Sequence, residues 1–266
     1  MTTTTIAQLN RTSQAFCNQL CEKETLDHGI AYYCPRYPTA TELNQFREVV
    51  LPDEATCQTA FEQARAHFNS HNIVCGRWAA AYDQPAAPWT AFLASLGFAT
   101  RRFTAMRLTT WPKVAPDPSI RVLPARAMRE ALHQTVVHTG VSDCRPQQDQ
   151  RAEILNERLD DAAFDVFVAI AAGVPAGRCA LYQVGDIARV MEFEVLPAFS
   201  DSATGEALLG NVLALARRLM MHSICACIDS EDTGMHALLT RFGFIDDGAY
   251  VEMELPSKPD PGTGKP

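Results

Sequence analysis

The 266-residue chain is poor in the features that would place it quickly. It has no cluster of lysine and arginine: 23 basic residues stand against 31 acidic ones, for a formal net charge of −8 and a pI near 5.4. A phosphate backbone needs clustered basic side chains, so this balance excludes nucleic acid as the partner and favours small ligands or proteins. The nine cysteines contain no CxxC pair and no regular framework, which speaks against zinc and disulfide scaffolds and for a reducing compartment. The opening stretch MTTTTIAQLN lacks the basic-then-apolar order of a secretory leader. The longest apolar run, VFVAIAAGVPAG at 166–177, is too short and too broken by glycine and proline to span a bilayer. The expectation is a cytoplasmic protein with no membrane partner; the composition leaves open whether it forms a homodimer.

What the chain does have is enough apolar residue, 47% of the total, for two modest cores. The seam between them is WPKVAPDPS at 111–119, where three prolines in nine residues forbid a helix and favour an extended connector. Residues 1–28 carry Ile6, Leu9, Ala15, Phe16 and Leu20 at helical spacing, and 29–110 then read as strands and helices in alternation. Residues 120–256 repeat that alternation in longer form, as mixed α/β structure with three successive strands over 165–197. The last ten residues, 257–266, have no apolar anchor and read as a disordered tail. FLASLGF at 92–98 and LLTRFGF at 238–244 are each followed by a strand ending in MRL or MEL. Two readings fit: an internal duplication, or a common helix C-cap used twice.

Two stretches carry candidate chemistry. In VLPAFSDSATGEALL, 195–209, a strand passes through small residues into a helix whose first turn holds Ala203, Thr204 and Gly205. Unpaired backbone N–H groups at such a helix start make a phosphate cradle in outline, although Asp201 and Glu206 are acidic and the loop has no lysine or arginine. Just before it, Glu192 and Glu194 in VMEFEVLP alternate along a strand, which predicts both on one face and Met191, Phe193 and Val195 on the other. A carboxylate partly desolvated beside a like charge would have its pKa raised, as a general base needs; a solvated polar edge is the plain alternative. His133, His138, His222 and His236 have no metal-binding spacing.

From 120 to 255 the chain resembles the GNAT superfamily of acyl-CoA N-acyltransferases. Val195, Pro197, Phe199, Gly205, Leu208 and Leu209 fall in register with that family's loop, Val-x-Pro-x-aromatic-Arg/Gln-x-x-Gly-x-Gly-x-x-Leu-Leu. Leu238, Gly243 and Phe244 match its later Leu-Tyr-x-x-x-Gly-Phe helix. The resemblance implies a GNAT-like mixed β-sheet flanked by helices, in two unequal tandem copies, with 29–110 a truncated, degenerate copy and 120–256 the acyl-CoA domain. It also implies acetyl-CoA as co-substrate, held by Val195, Leu196, Ser200, Ala203, Thr204, Gly205 and Glu206. Glu192 and Glu194 would be the catalytic carboxylates, with backbone N–H groups near Glu194 to Leu196 stabilising the oxyanion.

Three departures bear on this. Ser200 stands at the Arg/Gln position and Ala203 at the first loop glycine. Leu239 replaces the tyrosine that protonates the leaving thiolate; Tyr250, Cys225 and Cys227 are either substitutes or ordinary core and edge residues. The reading is an acetyl-CoA-dependent N-acetyltransferase acting on an amine of a small molecule or protein, with no metal. The rival is a non-catalytic acyl-CoA or protein-binding module on the same fold.

Overall fold

The computed structural model describes residues 4–51, 53–81, 87–113, 117–138, 145–200 and 203–256. The expected tail at 257–266, residues 114–116 of the Pro-rich seam and Asp201 lie outside them. In chain order the elements are α1 (Thr5–Asn18), β1 (Glu22–Leu26), β2 (Gly29–Tyr33), β3 (Gln45–Val49), α2 (Glu54–Ser70), β4 (Arg77–Ala80), α3 (Ala87–Ser95) and β5 (Ala99–Leu108). They continue with β6 (Ile120–Pro124), α4 (Arg129–Val137), α5 (Arg145–Arg158), β7 (Phe164–Ala171), β8 (Val174–Val184), β9 (Ile187–Val195), α6 (Thr204–Arg218), β10 (Ser223–Asp229), α7 (Thr233–Arg241) and β11 (Phe244–Glu254).

Two expectations need correction. The segment 1–28 is not helical throughout: Glu22–Leu26 is a strand, paired antiparallel with β2 from Glu22↔Tyr33 to Leu26↔Gly29. EKETL has one apolar residue and four exposed positions, so the pairing, not a hydrophobic period, makes it a strand. β11 begins at Phe244, five residues ahead of the strand read at 249–255. Its acidic start is tied down by Asp247, whose Oδ2 accepts from Thr5 Oγ1 at 2.6 Å and from Arg107 Nε at 3.2 Å.

The chain forms two compact units. The larger comprises 1–12 and 104–248, the smaller 13–103 and 249–266, so the unit boundaries fall inside β5 and β11 and not at the Pro-rich stretch. The larger unit contains the antiparallel run β6-β7-β8-β9, with β10 parallel to β9 and the end of β5 beside β10. Its core lies under α6, whose Leu208, Leu209, Val212, Leu213 and Ala216 are all buried. The smaller unit contains β1-β2-β3 antiparallel, β4 parallel to β3, and the end of β11 antiparallel to β4. Its core gathers Phe46, Phe68, Trp78, Trp89 and Met253.

The same order, three antiparallel strands, helix, parallel strand, helix, strand, therefore occurs twice, as β1 to β5 and as β7 to β11. The last strand of each copy supplies residues to the other copy's unit. In the smaller unit a chain of charges holds the exchanged end of β11. Arg47 NH1 lies 3.3 Å from Glu252, Arg77 lies 3.7 Å from Glu252 and 3.1 Å from Glu254, and Arg101 lies 3.3 Å from Glu254.

The repeated Gly-Phe phrase is a helix C-cap in both copies. Gly97 and Gly243 have φ of +92° and +90°, which a residue with a Cβ adopts only at a cost. In the first copy the N–H of Phe98 donates to Leu93 O at 3.1 Å and that of Gly97 to Ala94 O at 3.0 Å; in the second, Gly243 donates to Thr240 O at 3.0 Å. Leu93 and Phe98 enter one core, Leu239 and Phe244 the other. The two glycines differ in their surroundings. A Cβ on Gly97 meets nothing within 4 Å, whereas one on Gly243 falls 1.9 Å from the Thr110 carbonyl oxygen. Gly97→Ala is therefore expected to cost only backbone strain, roughly 1–2 kcal/mol. Gly243→Ala adds a backbone clash and should destabilise more, read as a larger fall in urea midpoint. Equal losses would sink this account.

Candidate active site

The site is built on a defect in β9. β8 and β9 pair as Ala180↔Met191 and then Arg178↔Glu194, so Glu192 and Phe193 together stand opposite the single Cys179. This is a β-bulge, and Glu192 carries its strain with a φ of +51°. Simple alternation along the strand is thus broken at the first candidate carboxylate. The two carboxylates still come together, on a residue that the sequence reading missed. Arg178 of β8 is fully buried; its NH2 lies 3.6 Å from Glu192 Oε2 and 3.8 Å from Glu194 Oε2, and its NH1 donates to Thr135 O at 2.8 Å. Arg151 of α5 donates to Glu192 Oε2 at 3.3 Å.

These contacts separate two residues that look alike in sequence. Burial pushes the Glu192 carboxyl up, but Arg151, Arg178 and Arg158 outweigh it and hold the group below the usual carboxylate range. The expected rise is therefore not found at Glu192, which is an ion-paired anion. Glu194 goes the other way. Burial, aided by the charges of Glu192 and Asp232, outweighs the pull of Arg178 and Arg151, and its carboxyl lies above the usual range. Its side chain retains 26% of its accessible surface against 17% for Glu192, so Glu194 is the more open of the two.

Past the bulge, β9 leaves its parallel neighbour. β9 and β10 pair from Ile187↔Ser223 to Val190↔Ala226 and no further, although β9 continues to Val195 and β10 to Asp229. Leu196 donates its N–H to Ala176 O at 2.8 Å, which commits that amide to β8 and removes it as an oxyanion donor. Backbone alternation then turns the N–H of Val195 away from β8, towards the gap left by β10. That amide lies on the side of β9 where the pairing with β10 has ended.

α6 starts beside this gap. Its N-cap is Ala203, with no side-chain cap, so the first-turn N–H groups have no capping oxygen from that residue. An alanine cap forgoes roughly 1 kcal/mol of helix stability, which burial of four aliphatic side chains on α6, at about 1.5–3 kcal/mol each, easily offsets. Thr204 is buried, and Gly205 presses close to β9: a Cβ there falls 3.2 Å from Phe193 Cζ. Glu206 does not repel an anion from inside the loop, because Arg241 NH2 lies 2.7 Å from its Oε1. Ser200 is exposed and donates its hydroxyl to Pro197 O at 3.0 Å.

The other copy shows neither feature. In the smaller unit β3 has its own positive-φ glutamate, Glu48 at +54°, yet pairing with β4 resumes beyond it at Val49↔Ala80 and the strands stay together. The start of α2 is filled by its own anion, Asp53, whose Oδ1 accepts from Thr56 N at 2.9 Å. Of the substitutes for the missing tyrosine, Tyr250 belongs to the smaller unit and stacks on Phe103 at 5.3 Å. Cys225 is buried, and burial pushes its thiol up to about 12; Cys227 is half-buried on the same strand. Leu239 is fully buried in the core of the larger unit. Among the described residues no group of three or more His, Cys, Asp or Glu is arranged for a metal ion, and no helix is long and apolar enough to cross a membrane. Arg178 had one available signal, a lone charge within the otherwise uncharged run VPAGRCALYQV.

Neither a protein-family model nor a curated protein matches the chain. Solved structures do. A GCN5-related N-acetyltransferase from Kribbella flavida aligns over 95% of this chain and 96% of its own, with a TM-score of 0.68 and 13% identity. A conserved protein of unknown function from Staphylococcus epidermidis ATCC 12228 aligns over 88% and 94%, with a TM-score of 0.70 and 14% identity. A tandem GNAT protein from the clavulanic acid biosynthesis pathway aligns over 87% and 80%, with a TM-score of 0.55 and 15% identity. At such identities the likeness is one of architecture, and it agrees with the element order found twice in this chain: the protein has the GNAT fold, in two unequal tandem copies.

Proposed function

We propose that the larger unit binds acetyl-CoA and transfers its acetyl group to an amine of a small molecule or protein. The observation that carries this reading is the parting of β9 from β10 at the bulge, directly before an α6 start whose N-cap side chain offers no oxygen. The first-turn N–H groups suit a pyrophosphate, and the Val195 amide suits the oxygen of a reacting carbonyl. Acetyl-CoA would supply the activated thioester. Glu194, raised and partly open, would take a proton from the acceptor's ammonium so that the neutral amine can attack the thioester carbonyl; the C–N bond would form as the C–S bond breaks, and CoA would leave as a thiolate that takes its proton from solvent, while Glu192 stays an anion fixed by Arg151 and Arg178. The smaller unit is a degenerate copy without an acyl-CoA site, since Asp53 already caps its equivalent helix. The chain would work in the cytoplasm.

A second reading, an acyl-CoA-binding module without catalysis, is favoured by Leu239: a fully buried leucine has no proton to give a leaving thiolate. Two sets of experiments decide. Ala203→Asp places a carboxylate cap on α6 as Asp53 does on α2; it should stabilise the helix by about 1 kcal/mol while weakening acetyl-CoA in calorimetric titration. Ser200→Arg should tighten acetyl-CoA about tenfold or more by adding a charge-assisted donor fork. Unchanged affinity in both variants rejects the site.

For the chemistry, an amine screen should find an acceptor whose acetylation rises with pH through a midpoint above the ordinary glutamate value of about 4.3. Glu194→Gln should then cut turnover roughly 10²–10⁴-fold with acetyl-CoA affinity nearly unchanged. Slowing of only a few-fold removes Glu194 as the base. Tight acetyl-CoA binding with no acceptor in the screen favours the binding module.

A further inference from the structure

Arg178 exchanges no proton in the proposed chemistry, yet it contacts both candidate carboxylates. It cannot meet a substrate, because none of its surface is accessible. Three features explain its placement. In register it stands directly opposite Glu194. The extra residue of the bulge leaves Glu192 on the same guanidinium. Its third contact, Thr135 O, belongs to the last turn of α4, where carbonyls lack helical partners and a cation is favoured by the helix dipole. The guanidinium therefore caps α4 while it bridges two like charges that would otherwise repel. Its Nε makes no hydrogen bond among the described residues, so a buried cation is held here by these few contacts and not by a saturated network.

We infer that Arg178 is the positioning residue of this site: anchored to the end of α4, it shares one cation between the two carboxylates of β9, so that Glu192, with Arg151 as a second partner, is the fixed anion and Glu194 the proton acceptor. This rests on the acetyltransferase reading for its purpose, but not for its geometry. The groups facing Glu194 are Arg178 from β8, Arg151 from α5, Glu192 from β9 and Asp232 at the start of α7; those facing Glu192 are Arg151 and Arg158 from α5 and Arg178. Arg178 is the foremost of the cations acting on Glu194, and Arg151 of those acting on Glu192. The two arginines should therefore have crossed effects.

The test is a titration of the side-chain carboxyl carbons of Glu192 and Glu194 by NMR in the full chain, assigned with E192Q and E194Q. The Glu194 midpoint should rise more in R178Q than in R151Q, whereas the Glu192 midpoint should rise more in R151Q than in R178Q. R178K keeps the charge and should bring Glu194 back towards its wild-type midpoint. Should R178Q fail to fold, E192Q carries the test: with the competing anion gone, Glu194 has the guanidinium to itself and its midpoint should fall. A Glu194 midpoint that R178Q moves no more than R151Q does, or that stays put in E192Q, overturns the assignment. Because the carboxyls themselves are read, a chain that shows the crossed pattern yet acetylates nothing counts against the proposed function and leaves the role of Arg178 standing.

Discussion

A guanidinium with no exposed surface has to be paid for in contacts, and the larger unit is arranged around that need. An unpaired buried charge costs several kcal/mol. Arg178 meets the demand with one carbonyl at the end of α4 and two carboxylates on β9. Those contacts link a helix end, a central strand and the bulged strand beside it. They also dictate the electrostatics of the site: one cation between two anions cannot neutralise both equally, and Arg151 tips the balance by pairing with Glu192. Glu194 is left with the weaker share. Asymmetry between two similar residues thus follows from where the cations stand.

The bulge has a second consequence. A regular β9 would keep its alternation and present an unbroken edge to β10. Once Glu192 takes a positive φ, the strand turns away from its parallel neighbour, and backbone groups that would have joined the ladder face a gap instead. The smaller unit makes the comparison. Its β3 also contains a positive-φ glutamate, but pairing recovers at Val49↔Ala80 and no gap forms. The helix that follows is capped by Asp53 in one copy and left with Ala203 in the other. A self-capped helix start has little use for an external anion, whereas Ala203 brings no capping oxygen of its own. The two copies of the element order thus differ in strand pairing and in how the following helix starts.

Each unit contains part of the other copy's last strand. The end of β11 is held in the smaller unit by the alternating charges of Arg47, Glu252, Arg77, Glu254 and Arg101, and its start in the larger unit by Asp247 with Thr5 and Arg107. Each end of the strand is thus held by partners within its own unit. Leu239 fits the same economy: it follows Thr233 to Leu238 on α7 and packs with Phe244 beyond the Gly243 cap, so the position is occupied by a core residue rather than by a side chain reaching for a ligand.

Much of this was legible in the residues themselves. Helical and strand periods are local, and they located β6 at 120–124, the three-strand run over β7 to β9, and α6, because a face must be apolar wherever it is buried. The Gly97 and Gly243 turns were equally local, set by backbone geometry within a few residues. The likeness of 195–209 to a phosphate loop pointed to the strand and helix on which the proposed site is placed. Long-range partners were not legible. EKETL became a strand only because β2 lies beside it, and the exchange of β5 and β11 is a matter of which copy a strand end joins, which no local pattern encodes. Glu192 and Glu194 have the same side chain two positions apart, so sequence makes them equivalent. Only the tertiary structure, by setting Arg151 and Arg178 from two other elements against them, decided which is an ion-paired anchor and which is open to take a proton, because a charge responds to neighbours in space whatever their distance along the chain.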